Sequence, residues 1–159
     1  LKDVIRGADV FVGVSQPSLL GEQDLQNMEK DPYVLAIENP ETGSMPEIAQ
    51  PYVAVMATGR SDYPDQINIV CSCQGIFRGA IDSRSSIINE EMKMAAAEAI
   101  AHSIDENHLA PDYIIPSVFD QTVVPAVSEA VQQAAIDTGV ARREKIIRMT
   151  PSSSKQDGE

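Results

Sequence analysis

Hydrophobic positions along this chain follow two patterns, and the change between them divides it. The first third holds three short apolar runs, Val10–Val14, Tyr33–Ile37 and Val53–Ala57, each ended by polar residues, Gly or Pro. Such runs, rich in β-branched residues and without polar alternation, are expected of parallel strands covered on both faces. Between the first two, Ser15-Gln16-Pro17-Ser18 reads as a turn. Glu22 to Lys30 reads as a short helix with Leu25 and Met28 inward, stopped by Pro32. Residues 3–6 read as the end of an earlier helix.

The later part of the chain changes to a helical period. Asn89 is expected to cap a helix running to about Ile104, with Glu90 and Glu91 at the positive end of its dipole. Met92, Ala96, Ala99 and Ile100 recur at helical spacing, and Met92 and Met94 read as core filler. Tyr113 to Pro116 reads as a short extended piece and Phe119-Asp120 as a turn. Pro is favoured at the start of a helix, so the last helix is expected to open at Pro125. Val127, Ala130, Val131 and Ala134 would face inward, and Gly139 would end it. The sequence contains no internal repeat.

Composition narrows the function classes. At 159 residues with 43% hydrophobic content the chain can bury a core of its own. Twenty-four acidic against twelve basic residues give a net charge of −12, which argues against a nucleic-acid partner. No apolar run approaches the roughly 20 residues needed to span a bilayer, and a soluble, cytoplasmic protein is expected. Cys71 and Cys73 stand without a second Cys or His pair, so four-ligand zinc spacing is absent. His102 and His108 have no neighbouring ligand at helical spacing, and solvated positions are expected for both. No metal site is expected in this chain.

The chemistry concentrates after the third apolar run, in Thr58-Gly59-Arg60-Ser61-Asp62-Tyr63-Pro64-Asp65-Gln66-Ile67-Asn68. A switch from apolar strand to polar loop marks the carboxyl end of a strand, the edge where open α/β sheets bind ligands. Asn39 precedes Pro40, which biases it towards extended geometry. Its amide offers donors and an acceptor, suited to a carboxamide or a carboxylate. Arg60 and Asp62 suit an ion pair shaping the loop better than a ligand role, and Arg78 could also hold the loop by pairing with an acid. Glycine-rich phosphate loops, a nucleophile elbow and a credible acid–base pair are all missing from the sequence.

Six stretches in fixed order carry a resemblance: Gly7–Ser15, Ile37–Pro40, Thr58–Pro64, Gly75–Asp82, Ile88–Lys93 and Tyr113–Pro116 with Phe119-Asp120. Together they resemble the nucleotide-binding domain of bacterial malic enzymes, from about Gly7 to Arg142. The resemblance implies an α/β, Rossmann-like fold: part of a doubly wound parallel sheet flanked by helices, plus C-terminal helices. Residues 1–143 would form the C-terminal portion of the NAD(P)-binding domain, and 144–159 a polar, disordered tail. It further implies oxidative decarboxylation of malate to pyruvate and CO2 with NAD or NADP and Mg2+ or Mn2+. Malate, pyruvate and oxaloacetate are the implied ligands, the rest of the parent enzyme the implied partner, and a homo-oligomer the implied assembly.

On that resemblance Ser15 and Asn39 would bind the cofactor, and Asn39 and Asn68 the substrate. The catalytic acid–base pair, the metal ligands and the phosphate-binding glycines would lie upstream of this chain, which alone should be inactive. Two departures stand out. Thr42 to Met45 intervenes after Asn39-Pro40, and the segment from Ile48 to Thr58 is short, so the crossover into the third strand must be abbreviated. Ile69 stands where the family has a second Asn beside Asn68, which removes a hydrogen-bonding group. That loss admits two rivals: an oxaloacetate decarboxylase of the same family, and a non-catalytic module that senses cofactor.

Overall fold

Alternation of side chains along the valine-rich runs decides how the first part of the chain folds. In the computed structural model, which describes residues 1–14, 20–37, 46–59, 67 and 69–148, the runs form strands β1 (Val10–Gly13), β2 (Tyr33–Ala36) and β3 (Val55–Thr58). They pair in the order β1-β2-β3, parallel throughout. The expected parallel α/β sheet is present, with strand limits moved by one or two residues.

Two compact units make up the chain, Leu1–Asn68 with Glu106–Ile115 and Ile69–Asp105 with Pro116–Glu159. In the first, Val34, Ala36 and Met56 pack with Leu25 and Met28 from the α1 region and with Ile5. Each fully buried aliphatic side chain there contributes about 1.5–3 kcal/mol. Helix α1 covers only Glu22–Gln26, shorter than the sequence suggests, and Asn27 closes it. Its first-turn acids are occupied: Asp24 accepts the Gly21 N–H, and Glu22 accepts the Tyr52 hydroxyl at 2.5 Å. The crossover into β3 is abbreviated, as its length requires, to α2 (Pro46–Ala49) and a 3-10 turn at Gln50–Tyr52. Residues 3–6 are no helix; the Ile5 N–H reaches the Leu1 carbonyl in a single turn.

The second unit is helical: α3 (Ile69–Asp82), α4 (Glu90–Ala101) and α5 (Val123–Asp137). Helix α3 was not foreshadowed by periodicity. Gly75 and Gly79 lie inside it, where glycine costs about 1 kcal/mol relative to alanine. Both sit against α5. A Cβ on Gly75 would fall 2.4 Å from Val127 Cγ1, and one on Gly79 would fall 2.7 Å from Val131 Cβ and 2.8 Å from the Ser128 carbonyl. The two glycines, one turn apart, form the notch that lets α3 and α5 close on each other.

Asn89 caps α4 as expected, its side chain accepting the Met92 N–H at 3.0 Å. Met92 and Ala96 are buried with Val123, Val127, Val131 and Ala135. Met94, expected as core filler, is exposed instead. Helix α5 starts at Val123, before Pro125, because the N–H that Pro125 lacks would have no partner in the first turn anyway. Gly139, at φ 70°, takes the left-handed geometry that ends the helix.

Beyond α5 the chain turns back along the unit. The Arg142 and Arg143 N–H groups both bond the Ser83 carbonyl past the end of α3. Gln132, fully buried, donates to the Ile147 carbonyl at 3.0 Å and accepts its N–H at 2.8 Å. One side-chain amide thereby satisfies both backbone groups of a residue outside any regular element. Of the tail expected over 144–159, residues 144–148 are described and differ from a disordered tail, since Gln132 holds Ile147 and Arg148 Nε lies 3.2 Å from Glu129 Oε1; the rest lies outside the described residues.

Candidate functional site

The register brings the three strand ends level. Gly13 pairs with Ala36, and Ala36 with Thr58. Each neighbouring strand extends the ladder by one residue: the Ile37 N–H bonds the Gly13 carbonyl at 2.9 Å, and the Gly59 N–H bonds the Ala36 carbonyl at 3.1 Å. The carboxyl edge is thus flush across the three strands. Neighbouring strands lie about 4.8 Å apart, so the edge spans about 10 Å.

The candidate segments follow these ends in sequence. Ser15 comes two residues after Gly13, Asn39 three after Ala36, and the polar stretch opens at Thr58. Ser15, Asn39, Asn68, Arg60 and Asp62 all lie outside the described residues. What is described is their footing. The chain that leaves β3 at Gly59 is back at the same strand end by Ile67, whose N–H bonds the Thr58 carbonyl at 2.7 Å. Ile67 precedes Asn68, and Ile69 is the first residue of α3. The side chain of Ile69 is also outside what is described.

Thr58, the first residue of the candidate stretch, is fully buried, and its carbonyl accepts the Ile67 N–H that closes the loop. Arg78 Nε lies 2.6 Å from Asp82 Oδ2, one helical turn along α3. The acids of the loop that it was expected to hold, Asp62 and Asp65, lie outside the described residues.

The other candidates stay bland. His102 is exposed, with Nδ1 2.7 Å from the Glu98 carbonyl, and His108 is exposed as well. Cys73 is a free, half-buried thiol. Among the described residues no three His, Cys, Asp or Glu side chains come together to hold a metal ion. An open groove of about 430 Å³ runs past Lys2, Arg6, Glu22 and Asp24. Bases and acids face each other there, and none of its lining residues belongs to a strand end. No described helix is long and apolar enough to cross a membrane.

Comparison with known proteins shows what the chain is similar to. No family model matches the chain. The NAD-dependent malic enzyme of Geobacillus stearothermophilus is 58% identical over 146 residues, covering 92% of this chain and 30% of that protein. The chain is homologous to part of a bacterial malic enzyme. The bifunctional malic/malolactic enzyme of Bacillus subtilis is 54% identical over 143 residues, covering 89% of this chain and 35% of its own length. Other malic enzymes with this homology are NADP-dependent by name, among them that of Halomonas elongata at 45% identity. The malic enzyme from Pyrococcus horikoshii superposes with a TM-score of 0.85 at 36% identity, over 91% of this chain and 34% of that one. The α/β, Rossmann-like fold is therefore shared with solved malic enzymes. The chain spans between 21% and 38% of the length of the malic enzymes it matches.

Proposed function

We propose that this chain is the part of a malic enzyme that supplies the carboxyl edge of its dinucleotide-binding sheet. The parent enzyme converts malate to pyruvate and CO2 with NAD or NADP and a divalent metal. One observation carries the reading: three parallel strands end flush, and each runs directly into a candidate segment. Bound there, the nicotinamide would accept the hydride from malate. Ser15 and Asn39 are assigned to the cofactor, and Asn39 and Asn68 to malate, through amides that both donate and accept. The role of this chain is to bind and orient. The return of the chain to the Thr58 carbonyl at Ile67 suits that role, because a closed loop loses less entropy on binding than an open one.

The metal does not fit the described residues, which gather no set of three ligands. Its ligands and the acid–base pair are assigned to the portion of the enzyme outside this chain, and no step is derived through the ion. Residues 1–143 act as the domain portion. A cytoplasmic homo-oligomer completes the proposal.

The test is kinetic. The full-length parent enzyme, given malate, NAD or NADP and Mn2+, should reduce the nicotinamide in step with CO2 release. Asn39→Ala should weaken malate binding by about 0.5–1.5 kcal/mol, seen in the Michaelis constant. Decarboxylation of oxaloacetate with no malate-dependent nicotinamide reduction would replace this reading with the decarboxylase.

A further inference from the structure

Helices α3 and α5 end on the same backbone device, filled by different residues. Past α5, the Gly139 N–H bonds the Ile136 carbonyl and the Val140 N–H the Ala135 carbonyl, with Gly139 at φ 70°. Past α3, the Arg84 N–H bonds the Ile81 carbonyl and the Ser85 N–H the Ala80 carbonyl, with Arg84 at φ 50°. Glycine takes this left-handed geometry freely, whereas a residue with a Cβ is strained in it. An arginine held where glycine would fit better breaks a local rule, and such breaks mark positions where the side chain has a use.

The fold gathers further positive charge at that end. The Arg142 and Arg143 N–H groups both bond the Ser83 carbonyl, at 3.1 and 3.0 Å, so two more arginines are pinned beside the residue that precedes Arg84. Two further bonds fix the loop: Ser83 Oγ donates to the Gly79 carbonyl at 2.7 Å, and the Ser86 N–H bonds the Val140 carbonyl at 3.0 Å. Arg143 Nη1 lies 3.3 Å from the Asp82 carbonyl and so serves the negative end of α3. Arg84 and Arg142 are exposed, and among the described residues no acid forms an ion pair with any of the three. Asp82, the acid nearest to Arg84 in sequence, is occupied by Arg78. The chain carries a net charge of −12, so three guanidiniums without ion partners in one place locally reverse its field.

We propose that Arg84, Arg142 and Arg143 form a binding site for the phosphate group of a small molecule. Guanidinium forks pair bidentately with phosphate oxygens, and a tetrahedral dianion offers three oxygens where a carboxylate offers two. Three such donors on a loop already fixed by its own backbone bonds suit phosphate. Free phosphate and a phosphate monoester share that chemistry. The site does not depend on the proposed function, since none of its residues is assigned to cofactor or malate.

Isothermal titration of the full chain with inorganic phosphate, glycerol phosphate and succinate, at matched ionic strength, tests the site. Phosphate should bind, and Arg84→Gly and Arg142→Gln should each weaken it about tenfold or more. Arg84→Gly relieves the left-handed strain, so its thermal midpoint should equal or exceed that of the parent chain. That readout separates lost binding from lost folding. Tighter binding of glycerol phosphate than of inorganic phosphate would identify the ligand as a monoester, and the reverse as the free ion; both keep the site. Absence of phosphate binding, an affinity unchanged by both substitutions, or succinate held as tightly as phosphate overturns the proposal. So does an Arg84→Gly variant with a lowered midpoint and undiminished binding, which would mean that Arg84 serves the helix end alone.

Discussion

The sheet unit and the helical unit solve opposite problems. In the helical unit the sequence gives up local helix preference to gain contact. Gly75 and Gly79 weaken α3 by themselves, yet they set it close enough for Val127 and Val131 of α5 to fill the notch. Polar side chains there serve the packing: Asn89 caps, Gln132 clamps Ile147, and Asp82 holds Arg78. In the sheet unit the strands are only four residues long, one face of β1 is bare, and the candidate chemistry follows the strand ends. One unit is closed on itself. The other is built to present an edge.

That contrast is broken most severely at the notch. Gly79→Ala would put a methyl group within 2.8 Å of the Ser128 carbonyl, a backbone atom that cannot swing aside. A destabilisation of about 1–3 kcal/mol is expected, seen as a lower midpoint in thermal or urea unfolding. Gly75→Ala meets both Cγ1 and Cβ of Val127, at 2.4 and 2.5 Å, and a similar destabilisation is expected in the same unfolding measurement. An unchanged midpoint for both glycine variants would show that the two helices are not fitted to each other.

Gln132 gives a smaller, more local break. Gln132→Leu keeps the bulk but leaves the Ile147 N–H and carbonyl without their buried partner. The expected loss is about 1–3 kcal/mol, reduced wherever water replaces the amide. Hydrogen exchange at the Ile147 N–H should accelerate while the α4 amides stay protected. Global acceleration instead would mean that the clamp supports the whole unit. Next comes Asn89→Ala, which removes the cap on Met92 and the 2.9 Å bond to Thr138 at the end of α5. A cost of about 1 kcal/mol is expected.

How far the fold could be read from sequence follows the same division. The strands were legible because short apolar runs ended abruptly in polar residues, and α4 and α5 were legible from their helical period. α3 was hidden by the glycines that make it useful. Periodicity registers side chains, and at Gly75 and Gly79 the contact is made by their absence. Met94 misled because a methionine on an alanine-rich helix looks inward until the packed face is known. The candidate site was legible mainly through resemblance. Asn before Pro, or an amide in a polar loop, is common, and only the order of the motifs gave Asn39 and Asn68 a role. The flush register of Gly13, Ala36 and Thr58 adds a physical reason for the segments after them to share one edge.

The smallest effect sharpens the comparison most, because it asks whether Arg78 belongs to the closed unit alone. It contacts Asp82 at 2.6 Å within α3, with the Arg78 side chain 48% exposed and that of Asp82 9% exposed. Water and salt screen a half-exposed guanidinium, so the pair should contribute less than about 1 kcal/mol. Arg78→Met keeps the aliphatic stem along the helix and deletes the charge. If Arg78 only steadies Asp82, this variant should unfold slightly earlier, with the difference shrinking at high salt. In the full-length enzyme its Michaelis constants for malate and nucleotide should match those of the parent. An intact fold with a raised malate constant would place Arg78 in the binding machinery, and the division between a packing unit and a presenting unit would fail at that residue.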